Sequence, residues 1–135
     1  LPKPVAGHLP LLITGASQQD ADWLAQHGDG WMTYPRPTAQ QARFIHELRA
    51  RATRTAAPDR PVMEPLYIDL AEHPDAPAQP LHLGFRLGIN ALRSYLESRQ
   101  AIGVNHVALN LRFNRLDPQH TLERLAEHVL PDFTH

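Results

Sequence analysis

The residues with the clearest chemical potential lie where an apolar run meets a polar one. Leu9 to Thr14 reads LPLLIT, and Gly15, Ala16, Ser17, Gln18 and Gln19 follow it. Small residues let the backbone approach an anion closely. A helix starting just beyond them would aim free N–H groups and its positive dipole end at the same spot. Gly15 to Gln18 is therefore a candidate phosphate site, with the Ser17 hydroxyl and a Gln18 or Gln19 amide as extra donors. A plainer role is open for the same residues, with Ser17 an N-cap and Gly15 a turn. Capping and phosphate binding do not exclude each other.

Tyr34 and Arg36 follow the next apolar stretch and belong to the same end of a strand. A guanidinium binds phosphate or a substrate anion bidentately, although Arg36 also suits a solvated loop. Trp31 reads as core packing. Glu64 could point to a ligand or to solvent. Asn110 and Arg112 end a later strand, and Asn110 suits either a ligand contact or a loop cap. His82 and Arg86 flank Gly84 near an expected helix start, where nothing in the pattern supports an anion contact. The nine histidines show no H-E-x-x-H pair and no repeated metal-ligand spacing, so no metal is expected. His27 suits a helix C-terminus, and His106 reads as a core or ligand-facing residue. No nucleophile elbow and no P-loop is present, and the catalytic residues are not identifiable.

Four strand–helix units position these residues. Leu9 to Thr14 is a strand, and a helix capped at Ser17 runs to about His27. Gly30 to Tyr34 is a strand, and Thr38 with Gln41 opens a helix to about Thr53. Pro61 to Leu70 is a strand in which Pro65 predicts a bulge, a kink or two short pieces. Glu72 to Pro80 reads as a loop, and Gly84 to Arg99 as a helix. Asn105 to Phe113 is a strand, and Asp117-Pro118 starts the last helix. Such alternation predicts an α/β fold of parallel strands joined by right-handed crossovers. Four units make an open sheet or half of a (β/α)₈ barrel, which needs about 250 residues.

Composition narrows the classes. The chain has 135 residues, 42% hydrophobic and 20% charged, which suits one globular domain. A net charge of −1 gives no basic field for nucleic acid or anionic lipid. No apolar run approaches a membrane span. Without cysteine there is no disulfide framework or thiolate site. That suits a reducing cytoplasm, the expected location. The start at Leu1-Pro2-Lys3-Pro4 and the lack of an initiator Met suggest a fragment.

The stretch LLITGASQQDADWLAQHGDGWMTYPR resembles the central segment of bacterial luciferase-like flavin-dependent monooxygenases and oxidoreductases. LGFRLGINALRSYLESRQAIGVNHVALNLRF resembles that family's last helix–strand unit, and LERLAEHVLPDF its closing helix. The resemblance covers nearly the whole chain. It implies a single segment, 1–135, forming the C-terminal half of a TIM-type barrel, strands five to eight. It implies FMN, or a deazaflavin, as cofactor and a small organic substrate. Thr14, Gly15, Ala16, Ser17, Gln18, Tyr34 and Arg36 would then hold the cofactor's phosphate end. The catalytic residues would lie in a missing N-terminal half, leaving this chain inactive alone. Two other readings remain: a non-catalytic half-barrel that self-associates, and a phosphate-ligand-binding α/β protein unrelated to flavin.

Overall fold

A computed structural model describes all residues except 1–2, 4, 6, 16–17, 55–59 and 134–135. The chain is mixed α/β with mostly parallel strand pairing, as its strand–helix alternation predicts. It divides into two compact units, 1–64 with 102–106, and 65–101 with 107–135.

The first unit contains β1 (Leu12–Thr14), α1 (Ala21–His27), β2 (Gly30–Met32) and α2 (Thr38–Arg54). It also holds the start of β3 (Val62–Leu70). β1 pairs β2 in parallel, Ile13 opposite Trp31, and β2 pairs β3 in parallel, Trp31 opposite Val62. The helices bury one face each, Leu24 and Ala25 on α1 and Ile45, Leu48 and Ala52 on α2. Those α2 positions recur at helical spacing, the stripe the sequence predicts.

The expected start of α1 needs correction. The helix begins at Ala21, and Asp20 caps it by accepting the Trp23 N–H at 2.7 Å. Ser17, the expected cap, lies outside the described residues. α2 starts at Thr38 as expected, and the carboxamide oxygen of Gln41 in its first turn accepts from Arg36 at 3.2 Å.

In the second unit, the later part of β3 pairs in parallel with β5 (Gly84–Leu87), Tyr67 opposite Gly84 and Leu70 opposite Leu87. β4 (Gln79–Leu81) pairs antiparallel with β5. α3 (Ile89–Ala101), β6 (His106–Asn110) and α4 (Pro118–His128) follow, and β6 pairs β3. The expected loop holds over residues 72–78, and the β4–β5 hairpin takes its last two residues and the first turn of the expected helix. Gly84 is what permits it. A Cβ there would run into the Tyr67 backbone, so only glycine lets β5 lie this close to β3.

β3 is one strand of nine residues, so Pro65 makes no break. Its missing N–H falls between the ladder to β2, which reaches Met63, and the ladder to β5, which begins at Tyr67. Neither ladder loses a bond to it. Leu66, Ile68 and Leu70 from alternate positions of β3 join Leu87, Leu92, Leu125 and Val129 in the unit's core. Val107, Leu109 and Leu111 pack on that core, while His106, Ala108 and Asn110 are exposed. Asp117 caps α4 by accepting the His120 N–H at 3.0 Å, with Pro118 next, as expected.

Candidate functional site

In the first unit, the turn after β1 is fixed from below by Trp31, a buried residue of β2. Its indole Nε1 donates to the Gly15 carbonyl at 2.6 Å. The Gly15 N–H donates to the Met32 carbonyl at 2.7 Å. Both backbone groups of Gly15 are thus committed to β2. Its φ of 60° lies in the left-handed region, and among the described residues beyond its chain neighbours nothing stands within 4 Å of where a Cβ would be. Glycine meets the conformational demand, and the turn keeps an open side. Gln18 is also left-handed, with φ 59°, and is exposed.

Arg36 reaches the same indole. Its guanidinium carbon lies 5.7 Å from the Trp31 ring centre and 5.5 Å from that of Phe44, which stacks on Trp31 at 4.2 Å. Its Nη1 donates to Thr33 Oγ1 at 2.6 Å and to Gln41 Oε1 at 3.2 Å. Thr33 and Gln41 are buried, so they anchor an otherwise exposed arginine. Trp31 therefore contacts both the Gly15 turn and Arg36. Tyr34 is 60% exposed between them in sequence. Thr14 is the exposed last residue of β1. Ala16 and Ser17 lie outside the described residues.

A phosphate fits this arrangement through the loop rather than through the helix end. The carboxylate of Asp20 already occupies the N-terminus of α1, where a second anion would be repelled. The Gly15 N–H and C=O are both bonded to β2, so the turn offers room for close approach there rather than a donor, beside a cationic side chain held over Trp31.

The start of the unit is tied down by Asp29. Its Oδ2 accepts from the Leu11 N–H at 2.8 Å and from His8 Nε2 at 2.9 Å, and its Oδ1 from Arg60 Nη1 at 3.1 Å. The Leu11 N–H first, and His8 second, hold this carboxyl below the usual aspartate range.

The second unit carries a polar centre that sequence reasoning missed. Asp69, near the end of β3, is only 3% exposed. Its Oδ2 accepts from Arg115 Nε at 2.7 Å and Arg86 Nη1 at 3.0 Å, and its Oδ1 from the Arg115 N–H at 3.1 Å. These residues line an open cleft of about 430 Å³ with Glu72, His73 and Gln79. Arg86 sits here because it belongs to β5; the expected helix would have placed it elsewhere. The signal in the sequence was a lone aspartate between Ile68 and Leu70, since a buried charge requires a partner.

The other residues singled out take plainer places. Asn110 Oδ1 accepts the Arg112 N–H at 2.9 Å, a loop cap. Glu64 is buried and His106 exposed. His27 closes α1, its Nδ1 3.0 Å from the Trp23 carbonyl oxygen. Among the described residues, no group of three or more His, Asp or Glu is placed to hold a metal ion. Nor is any helix among them long and apolar enough to cross a membrane.

No family model matches the chain. An uncharacterized protein of Mycobacterium tuberculosis, Rv0953c, is 30% identical over 86 residues, 62% of this chain and 29% of that protein. A counterpart in Mycobacterium bovis matches equally. The chain thus spans under a third of the length of the curated relatives it matches. Among solved structures, an F420-dependent secondary alcohol dehydrogenase in complex with an F420-acetone adduct superposes with TM-score 0.67 at 13% identity. That match covers 91% of this chain and 48% of the other. A riboflavin lyase with modified FMN and riboflavin gives 0.64 at 13%, covering 93% and 43%. An EDTA monooxygenase from Chelativorans sp. BNC1 gives 0.61 at 14%, covering 98% and 46%. The fold is therefore a partial TIM-barrel arrangement of the luciferase type.

Proposed function

We propose that residues 1–135 form one C-terminal half-barrel segment, strands five to eight, of a luciferase-like flavin-dependent monooxygenase or oxidoreductase. The segment supplies the side of the barrel that holds the cofactor's phosphate. The observation that carries this reading is the open, left-handed Gly15 turn, anchored by Trp31 beside Arg36. The likeness in fold to flavin enzymes supports it. FMN is the proposed cofactor, with a deazaflavin as the alternative, and a small organic molecule the substrate. When bound, the reduced flavin would activate oxygen or pass a hydride. Gly15, Gln18 and Arg36, with Thr14, Ala16, Ser17 and Tyr34 around them, would hold and orient the phosphate.

Catalytic groups would come from an N-terminal half, so the chain alone would bind flavin weakly and turn nothing over. Such a half would add strands beside β1, the end strand of the sheet. Leu9, Leu11 and Leu12, all exposed around β1, support that placement. A second copy of the chain would cover them equally well in the self-associating reading. Light scattering separates the two, since a monomeric mass across concentration rejects self-association. We place the chain in the cytoplasm.

The test is a flavin-fluorescence titration of the 135-residue protein with FMN and with riboflavin, which lacks the phosphate. FMN should saturate weakly, with a dissociation constant on the order of 0.1–1 mM, and riboflavin roughly tenfold or more weakly still. Equal behaviour of the two flavins would reject a phosphate site.

A further inference from the structure

The cleft beside Asp69 has no part in the flavin reading, and its chemistry is specific. A buried carboxylate is costly unless charges and hydrogen bonds compensate it, and an apolar side chain would fill the space at less cost. One guanidinium would satisfy Asp69. The structure supplies two, from Arg86 on β5 and from Arg115 in the loop after β6.

The spare binding capacity lies on the arginines. Asp69 already accepts three hydrogen bonds, so it has little left to offer a cation. A guanidinium carries five N–H donors, and each of these gives one to Asp69. Among the described residues neither side chain has another partner. The Arg86 and Arg115 side chains are 34% and 66% exposed, so both reach solvent at the cleft. The Arg115 backbone is also fixed, because its N–H donates to the same carboxylate.

The formal charges around the cleft balance: Asp69 and Glu72 against Arg86 and Arg115. A general positive field therefore does not explain it. His73 has its Nδ1 engaged by the Asp75 N–H at 3.2 Å. What the cleft offers is directed donors, two planar guanidinium forks set at fixed angles by one buried anion. Such forks match oxyanions of carboxylate or phosphate type.

We propose that this cleft is a binding site for an oxyanion group, carboxylate or phosphate, of a small organic ligand. Arg86 and Arg115 are its donors, and Asp69 is the residue that positions them. The proposal stands independently of the flavin reading.

The test is an NMR titration of the isotope-labelled 135-residue protein at constant ionic strength, with inorganic phosphate in one arm and succinate in the other. The Nε–H signals of Arg86 and Arg115 and the Arg115 amide should shift saturably with at least one probe. The arm that saturates at lower concentration identifies the preferred oxyanion. Arg115→Gln, a change at a largely exposed side chain, should raise the half-saturation concentration roughly tenfold. Asp69→Asn discriminates further. It removes a negative charge, so a merely electrostatic patch would bind more tightly, whereas a positioned fork would bind more weakly. Linear, unsaturable shifts in both arms, or saturation unchanged by Arg115→Gln, would overturn the proposal. The Gly15 and Gln18 amides, followed in the same spectra, report the flavin-phosphate turn separately.

Discussion

Trp31 carries two duties in one side chain. It fills the first unit's core against Phe44 and fixes the Gly15 carbonyl. Trp31→Phe would keep most of the packing and lose the hydrogen bond to the half-buried Gly15 carbonyl. We expect a loss of about 1–2 kcal/mol, read as a lower denaturant midpoint with an unchanged slope. Asp29 makes a different prediction. Its carboxyl is held below the unfolded value of about 3.9, so its contribution is full above that pH. The contribution is lost as pH falls through the lower folded value. Leu11 amide protection should therefore drop in acid, and Asp29→Asn should remove that acid dependence from hydrogen exchange. An acid dependence that survives in the variant would assign it to another group. At this scale the sequence was legible at Gly15, a glycine after an apolar run that takes the left-handed backbone of a turn. Trp31 was legible only as core, because its bond to Gly15 joins residues from different elements. Asp69 was not legible, since its arginines are distant in the chain.

The elements were legible where their apolar period was strong. α2 shows its stripe at Ile45, Leu48 and Ala52, and β6 its alternation at Val107, Leu109 and Leu111. Two readings failed for local reasons. Leu83 to Leu87 carries no strand alternation, and Leu87, Ala91 and Leu92 read equally well as one helical stripe. Tertiary pairing with β3 decided the matter. At α1, both Ser17 and Asp20 are competent caps, and Asp20 holds the helix. The β5 placement gives a sharp prediction. Gly84→Ala would force a Cβ into the Tyr67 backbone and should cost about 1–3 kcal/mol, visible in a chemical melt. A variant as stable as the parent would mean that β5 does not lie against β3 at Gly84.

For the whole molecule, counting strand–helix units anticipated the α/β class, and the similar solved structures share the fold over nearly the full chain. Function is less legible at this scale, because one fold hosts many chemistries and only a site can choose among them. The choice made here rests on the Gly15 turn, and Gly15 itself provides the means to test it. Among the described residues beyond its chain neighbours nothing stands near the position of its missing Cβ, so Gly15→Ala meets no clash with them. Its backbone strain should cost only about 1 kcal/mol. The new methyl would stand on the open side that the phosphate is proposed to use. The decisive measurement is the ratio of riboflavin to FMN dissociation constants for the parent and for Gly15→Ala. The account predicts a ratio of roughly ten or more in the parent, from charge-assisted contacts to the phosphate, falling towards one in the variant. A ratio of one in the parent, or a large ratio unchanged by Gly15→Ala, would contradict it.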